Sequence, residues 1–393
     1  MATIHLTQCK TYELSAVKTA IHECFDAFGG TKAILATGKR GEASNRVLIK
    51  ANLVKSAKVE EAATTHPAVI EAVAAAFIAA GAEVCIGDCP AIPQSESAMQ
   101  AIYQETGLAD AAAHTGAVLL YDTTSRTVPS VSGCKAKEFP FWTPLFDADL
   151  VVNCAKLKTH SFTTMTGASK NLFGLLPGLL KSKKHAEYMS LNDFCDMLVD
   201  LNETAKSITP IFSLIDGIVG MEGKGPTGGT PKVCGTMIAS DVTYAADFAA
   251  SIIMGLKPAD VPLLSCVFKR ELTPKSGKDY IWSGVSVESC VTPFRLPKHQ
   301  GVGHMLISAI LPEKLKQRFY KDANPYPVIN KNKCIVCGKC VAICPVHAAT
   351  RKGKEISIDY NRCIRCYCCH EVCPERAIEQ VSKTIKKNNR SIS

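Results

Sequence analysis

The sequence predicts an α/β chain in two parts: a large domain on a mostly parallel sheet, then a small, cysteine-rich α+β domain. Three observations carry that reading. Short apolar runs of strand length alternate with helical patterns through the first three hundred residues, as βαβ units do. Apolar residues make up 47% of the 393, enough to core two or three domains. The nineteen cysteines are unevenly spread, and eight of them form two copies of one spacing near the C-terminus.

Taken in order, residues 46–54 (RVLIKANLV) read as a strand. Residues 67–80 read as a helix with Pro67 at its first position, where the missing N–H costs nothing. The Ala-rich run 72–82 suits a buried helix. Residues 84–86, 118–121 and 150–155 read as further strands. Residues 190–206 read as a helix capped by Ser190 with Asp193, 211–215 and 236–239 as strands, and 244–254 as a helix for Asp241 to cap. The expected layout is an α/β domain over 1–297, a connector of charge, Gly and Pro over 298–325 and the cysteine-rich domain over 326–381. A basic, disordered tail follows over 382–393, with Lys383, Lys386, Lys387 and Arg390.

Cys334, Cys337, Cys340 and Cys344 precede Pro345, and Cys363, Cys366, Cys369 and Cys373 precede Pro374. Both copies read C-x2-C-x2-C-x3-C-P, the bacterial run for iron–sulfur ligation. Each iron of a cubane takes one thiolate. The first three cysteines of a run lie on a loop that wraps three irons, and the fourth reaches the other cluster. One expected set is therefore Cys334, Cys337, Cys340 and Cys373; the other is Cys363, Cys366, Cys369 and Cys344. Two [4Fe–4S] clusters imply single-electron chemistry. Zinc sites use cysteine pairs rather than triplets with a distant fourth, and disulfide frameworks suit small secreted domains. Cys368, inside the second run, reads as a free thiol. Cys85, Cys89 and Cys154 read as buried small residues. The stretch 326–381 resembles a bacterial two-cluster ferredoxin, and Pro-Val-His-Ala-Ala at 345–349 matches Pro-Glu-Arg-Ala-Ile at 374–378.

The formal charge is +9. Two clusters at about −2 each bring it to roughly +5. Much of the remainder lies in the tail, and no basic stripe is interleaved with aromatics, so nucleic acid is not an expected partner. The first ten residues show neither the basic nor the apolar region of a secretory signal, and no segment has transmembrane length. The expectation is a cytoplasmic protein without a membrane partner, exchanging electrons with a soluble donor or acceptor.

Parallel sheets bind ligands off the carboxyl ends of their strands, so polar residues after strands are the candidates. Lys156, Lys158 and His160 are two apart and share one face of a continuing strand, an arrangement suited to a carboxylate or phosphate. Gly167, Ser169 and Lys170 open a helix with backbone donors and a charge, an anion-binding arrangement without Walker spacing. Lys181, Lys183, Lys184 and His185 follow. The segment 216–226 carries four glycines, with Asp216 and Glu222 as acid/base or metal-binding groups, or else as carboxylates of a surface loop. Lys170, Asp216, Glu222 and His160 are the catalytic candidates. Lys156, Lys158, Gly167 and His185 are the candidates for binding a small-molecule cofactor not yet identified.

Ile49-Lys50-Ala51-Asn52-Leu53-Val54, Thr65-His66-Pro67, Lys156-Leu157-Lys158-Thr159-His160, 166–174 and 216–226 together resemble the domain-of-unknown-function 362 family over about 40–300. The resemblance implies no established reaction; members are often fused to a ferredoxin-like module. A shorter resemblance, to nickel-pincer lactate racemases, runs through Gly167-Ala168-Ser169-Lys170, Leu176-Pro177-Gly178 and His185. It lacks that family's second Gly and its Arg, and it implies a cofactor attached to Lys170. The leading expectation is an oxidoreductase relaying electrons to a small anionic substrate or cofactor in the α/β domain. The alternatives are an electron carrier docking a redox enzyme, and a racemase or transferase with structural clusters.

Overall fold

The computed structural model describes residues 1–92, 95–297 and 324–381. Most of the expected connector and the whole basic tail lie outside the described residues. The large domain is a nine-stranded mixed sheet. Its strands are β1 (Thr3–Gln8), β2 (Arg46–Lys50), β3 (Glu83–Gly87), β4 (Val118–Leu119), β7 (Leu150–His160), β8 (Thr164–Thr166), β9 (Ile211–Glu222), β10 (Thr230–Ser240) and β11 (Ile281–Gly284); β5 (Ser125–Pro129) and β6 (Glu138–Trp142) form a separate hairpin. The order is β11-β1-β10-β9-β7-β2-β3-β4, with β8 on β7. The run β9-β7-β2-β3-β4 is parallel, whereas β10 is antiparallel to both β9 and β1.

Helices cover both faces. Helices Leu14–Asp26 and Pro67–Ala79 bury Phe25, Phe77 and their neighbours against Val47, Ile49, Leu150 and Val152. Helix Leu191–Ile208 packs Phe194, Leu198 and Leu201 on the opposite side, and helix Thr243–Ile253 buries Phe248 and Ala249. Pro67 stands at the helix start as expected, and the His66 imidazole accepts the Ala68 N–H. Ser190 accepts the N–H of Asp193 and donates to its carboxylate.

Two strands run further than the apolar pattern suggests. β7 continues through Lys156, Lys158 and His160, and β9 continues through 216–222, where the glycines also suit a surface loop. Pairing on both sides satisfies the backbone of β9, and its glycines admit close neighbours. A Cβ at Gly217 would stand 2.7 Å from the Thr236 carbonyl, and one at Gly220 would stand 2.8 Å from that of Leu157. Asp241 does not cap the helix at 243: its carboxylate accepts the Thr3 N–H on the neighbouring strand, and Ser240 takes the Val242 N–H instead.

The C-terminal module has two antiparallel strand pairs, β12 (Tyr326–Ile329) with β15 (Ile378–Val381) and the hairpin of β13 (Ala349–Lys352) with β14 (Glu355–Ile358). Short helices Lys339–Ala342 and Cys368–Glu371 follow the first cysteines of each run. The halves repeat each other in backbone conformation. Val336 and Arg365, Gly338 and Tyr367, and His347 and Arg376 are left-handed at matching places. Among the described residues no helix is long and apolar enough to cross a membrane.

Candidate functional site

The parallel strands reverse their order of addition between β2 and β7: β3 and β4 extend one side and β9 the other. Such a switch point opens a crevice at the carboxyl ends of the strands. A cavity with about 680 Å3 of empty space, part of it open to solvent, lies there. Asn52 enters it from beyond β2, Asp88 from beyond β3, and Lys158 and His160 from the end of β7. Lys170, Asn171, Phe173, Lys181 and His185 form another wall, and Ile343, Cys368, Glu371 and Val372 of the cysteine-rich module close it.

Each polar group is held by specific partners. Lys50, the last residue of β2, pairs with Asp88 at 2.7 Å, both buried, and Asp88 also accepts the N–H groups of Leu53 and Cys89. A Cβ at Gly174 would collide with both members of this pair, so a glycine lets the chain pass over it. Lys158 donates to Asn52 Oδ1 (2.6 Å) and the Ala63 carbonyl (2.7 Å). Asn52 and Asn153 share Asn171, each at 2.8 Å. Lys181 donates to the carbonyls of Cys89 and Leu176. His160 Nδ1 accepts the N–H groups of Phe162 and Thr163, which leaves the ring proton on Nε2, 3.4 Å from Glu371 Oε1.

Burial sets the charges. It lowers Lys158 to about 7, helped by Lys156 and Lys170, and Lys181 to about 8. Burial also holds His160 well below its ordinary value and His185 at about 3, with Lys170 adding to both shifts. Those rings are neutral at pH 7, so the His160–Glu371 contact is not an ion pair. Lys170 is pushed down by burial, partly offset by Glu371; Glu371 is pushed up by burial, partly offset by Lys170 and Lys158. Both keep some accessible surface because they face the cavity and are otherwise enclosed by protein.

Lys158, His160, Lys170 and His185, four of the residues expected from sequence, thus meet at one cavity. Lys156, Asp216, Glu222 and Gly167 do not line it. Lys156 binds Asp216 Oδ2 (2.7 Å) and the Tyr12 hydroxyl (2.8 Å); Tyr12 donates to Asp216, which also accepts the N–H groups of His66 and Ile218. The His66 ring stacks on Tyr12 at 3.5 Å. Glu222 is tied to Arg295 at 2.7 Å and to its N–H. Gly167 packs against Asp247, whose carboxylate takes the N–H groups of Ala168 and Ser169. The anion at that helix start is therefore the chain's own. Asp88 and Asn52 follow strands, so the carboxyl-end rule reaches them. Nothing in the sequence points to Glu371 or to the position of Cys368.

The module has two further cavities. One is lined by Cys334, Cys337, Cys340 and Cys373, the other by Cys363, Cys366, Cys369 and Cys344, with Cys368 beside them. Among the described residues, no His, Cys, Asp or Glu side chains group as the ligands of a single ion would. Thiolates spread around a cavity suit a polynuclear cluster, in which each iron takes one. The crossing cysteines are oriented alike: Ala348 N–H donates to Cys344 Sγ (3.2 Å) and Ala377 N–H to Cys373 Sγ (3.3 Å).

Residues 47–251, just over half of the chain, match the model of the domain of unknown function DUF362. The chain belongs to the DUF362 family. Residues 326–374 of this DUF362 protein match a 4Fe-4S dicluster domain, making it an iron–sulfur protein with at least one [4Fe–4S] cluster. A thylakoid-associated protein of Synechocystis sp. is 31% identical over 283 residues, covering 70% of this chain and 81% of the relative. A lactate racemase apoprotein structure from Thermoanaerobacterium thermosaccharolyticum aligns at TM-score 0.41 and 13% identity, over 65% of this chain and 58% of that one.

Proposed function

We propose that this protein is an iron–sulfur oxidoreductase. Its module would hold two [4Fe–4S] clusters in the crossed cysteine sets and exchange electrons between a soluble one-electron partner and a small anionic substrate in the interdomain cavity. One observation carries the reading: Cys368 lines both the second cysteine cavity and the interdomain cavity. Ile343 and Val372 seal that wall against Ala91 and Leu179 of the large domain. The first cysteine cavity shares no lining residue with the interdomain cavity; its Cys337 is exposed and Ile335 beside it is 62% exposed. This supports an order in which the partner meets the first set and the substrate meets the second.

Bound clusters supply one-electron transfer; the rest falls to side chains. Lys158 and Lys181 give the cavity the positive charge an anion needs, Lys170 stands beside them, and Asn52 and Asn171 add polar contacts. Neutral His160 presents an N–H. Lys158, near 7, is matched to give or take a proton at physiological pH. Phe173 and Val372 add apolar surface to the lining.

Anaerobic native mass spectrometry tests this, followed by reoxidation of the reduced protein with a panel of small carboxylates and phosphate esters. Two cluster masses with substrate-dependent reoxidation are expected. Two clusters, no reoxidation by any member, and stoichiometric capture of one redox enzyme would assign the chain to electron carriage instead.

A further inference from the structure

The cavity contains three lysines, and they are not equivalent. Lys158 spends its ammonium hydrogens on Asn52 Oδ1 and the Ala63 carbonyl, and Lys181 spends its own on two further carbonyls. These two are held in place by their acceptors. Lys170 differs. Among the described residues its Nζ makes no hydrogen bond and no ion pair within 4 Å. Its near neighbours are the ring faces of Phe173 at 5.4 Å and Phe194 at 5.9 Å. His185 stacks on Phe194 at 4.2 Å and Phe162 packs edge-on to both rings, so the Lys170 nitrogen lies against an aromatic wall.

We infer that Lys170 is a reactive amine that forms an imine with a small aldehyde or ketone carrying a carboxylate or phosphate. Its nitrogen attacks the carbonyl carbon, a C–N bond forms, and the carbonyl oxygen leaves as water with both amine hydrogens. No other reactant is needed, and hydrolysis reverses the step. Lys158 and Lys181 attract the anionic group, which brings the carbonyl to the lysine whose hydrogens are uncommitted. Burial favours the neutral amine, as a nucleophile requires, and the ring faces of Phe173 and Phe194 beside the nitrogen offer no donor to its lone pair. This chemistry goes beyond electron exchange and does not depend on the state of the clusters.

The test uses the anaerobically purified holoprotein with its clusters kept oxidised. Glyoxylate, the smallest anionic aldehyde, is added at pH 7 with cyanoborohydride, which reduces an imine to a stable secondary amine, and adducts are mapped by peptide mass. Lys170 is expected to be labelled roughly tenfold faster than an exposed lysine such as Lys257, and inorganic phosphate should slow Lys170 alone. Lys170→Met should remove the fast phase while cluster absorbance persists; if that variant does not fold, the wild-type map decides. Labelling of Lys170 no faster than Lys257, or a fast phase on Lys158 or Lys181, overturns the inference. Because no electron leaves the clusters, failure here leaves substrate-dependent reoxidation standing, and the reverse also holds.

Discussion

Replacing Asp216 with Asn separates a structural role from a catalytic one. Asp216 is fully buried and neutralises Lys156, which is 1% exposed. Tyr12 and the N–H groups of His66 and Ile218 complete its coordination. Removing its charge strands a buried ammonium, a change that costs about 3–5 kcal/mol. At roughly 2 °C per kcal/mol for a domain of this size, the melting temperature should fall by about 6–10 °C. Lys156→Met should cost less, because Asp216 keeps three donors. The double variant should lose less than the sum of the single changes, since no unpaired ammonium remains. Thermal and urea unfolding of the four proteins gives the cycle, and phosphate binding to the folded variants reports on the cavity. Unchanged melting of Asp216→Asn with lost ligand binding would refute the argument and return Asp216 to the site.

Further outcomes are expected. Glu222→Gln should cost under about 1 kcal/mol, because its Arg295 partner is largely exposed, and should leave phosphate binding unchanged; urea titration and calorimetry check this. Phosphate affinity should fall as pH rises through 7–8, where Lys158 and Lys181 lose their protons. For stability the sign is opposite: between those folded values and the unfolded value of about 10.4 the unfolded chain binds more protons, so stability rises with pH. Lys158→Met should flatten that rise in pH-dependent unfolding. If the crossed sets hold two clusters as proposed, Cys373→Ala should remove the same electron paramagnetic resonance signal as Cys337→Ala, whose cavity it lines, and Cys344→Ala the other. Asp247→Ala should cost about 2–3 kcal/mol by orphaning the buried Ala168 and Ser169 N–H groups, measured by urea unfolding.

The sequence by itself determined what depends on local spacing. Ligation by a loop is a matter of a few consecutive residues, so the two C-x2-C-x2-C-x3-C-P runs already contained the cysteine sets that line the two module cavities. The alternation of strands and helices likewise placed Lys158 and His160 after a strand, where a parallel sheet opens. Tertiary structure decided what depends on partners distant in the chain. Lys156 and Asp216 have the residue types of a site, but Tyr12 and the backbone at 66 turn them into a buried, saturated pair. The backbone donors after Gly167 look open to an anion until Asp247, some eighty residues away, occupies them. Glu371 and Cys368 belong to the cavity only because the module docks across the mouth of the sheet. No local residue pattern encodes that contact, since it joins residues far apart in the chain. Lys170 is set apart from its neighbours for a related reason: the residue type is the same at 158, 170 and 181, and only packing decides which nitrogen is given acceptors.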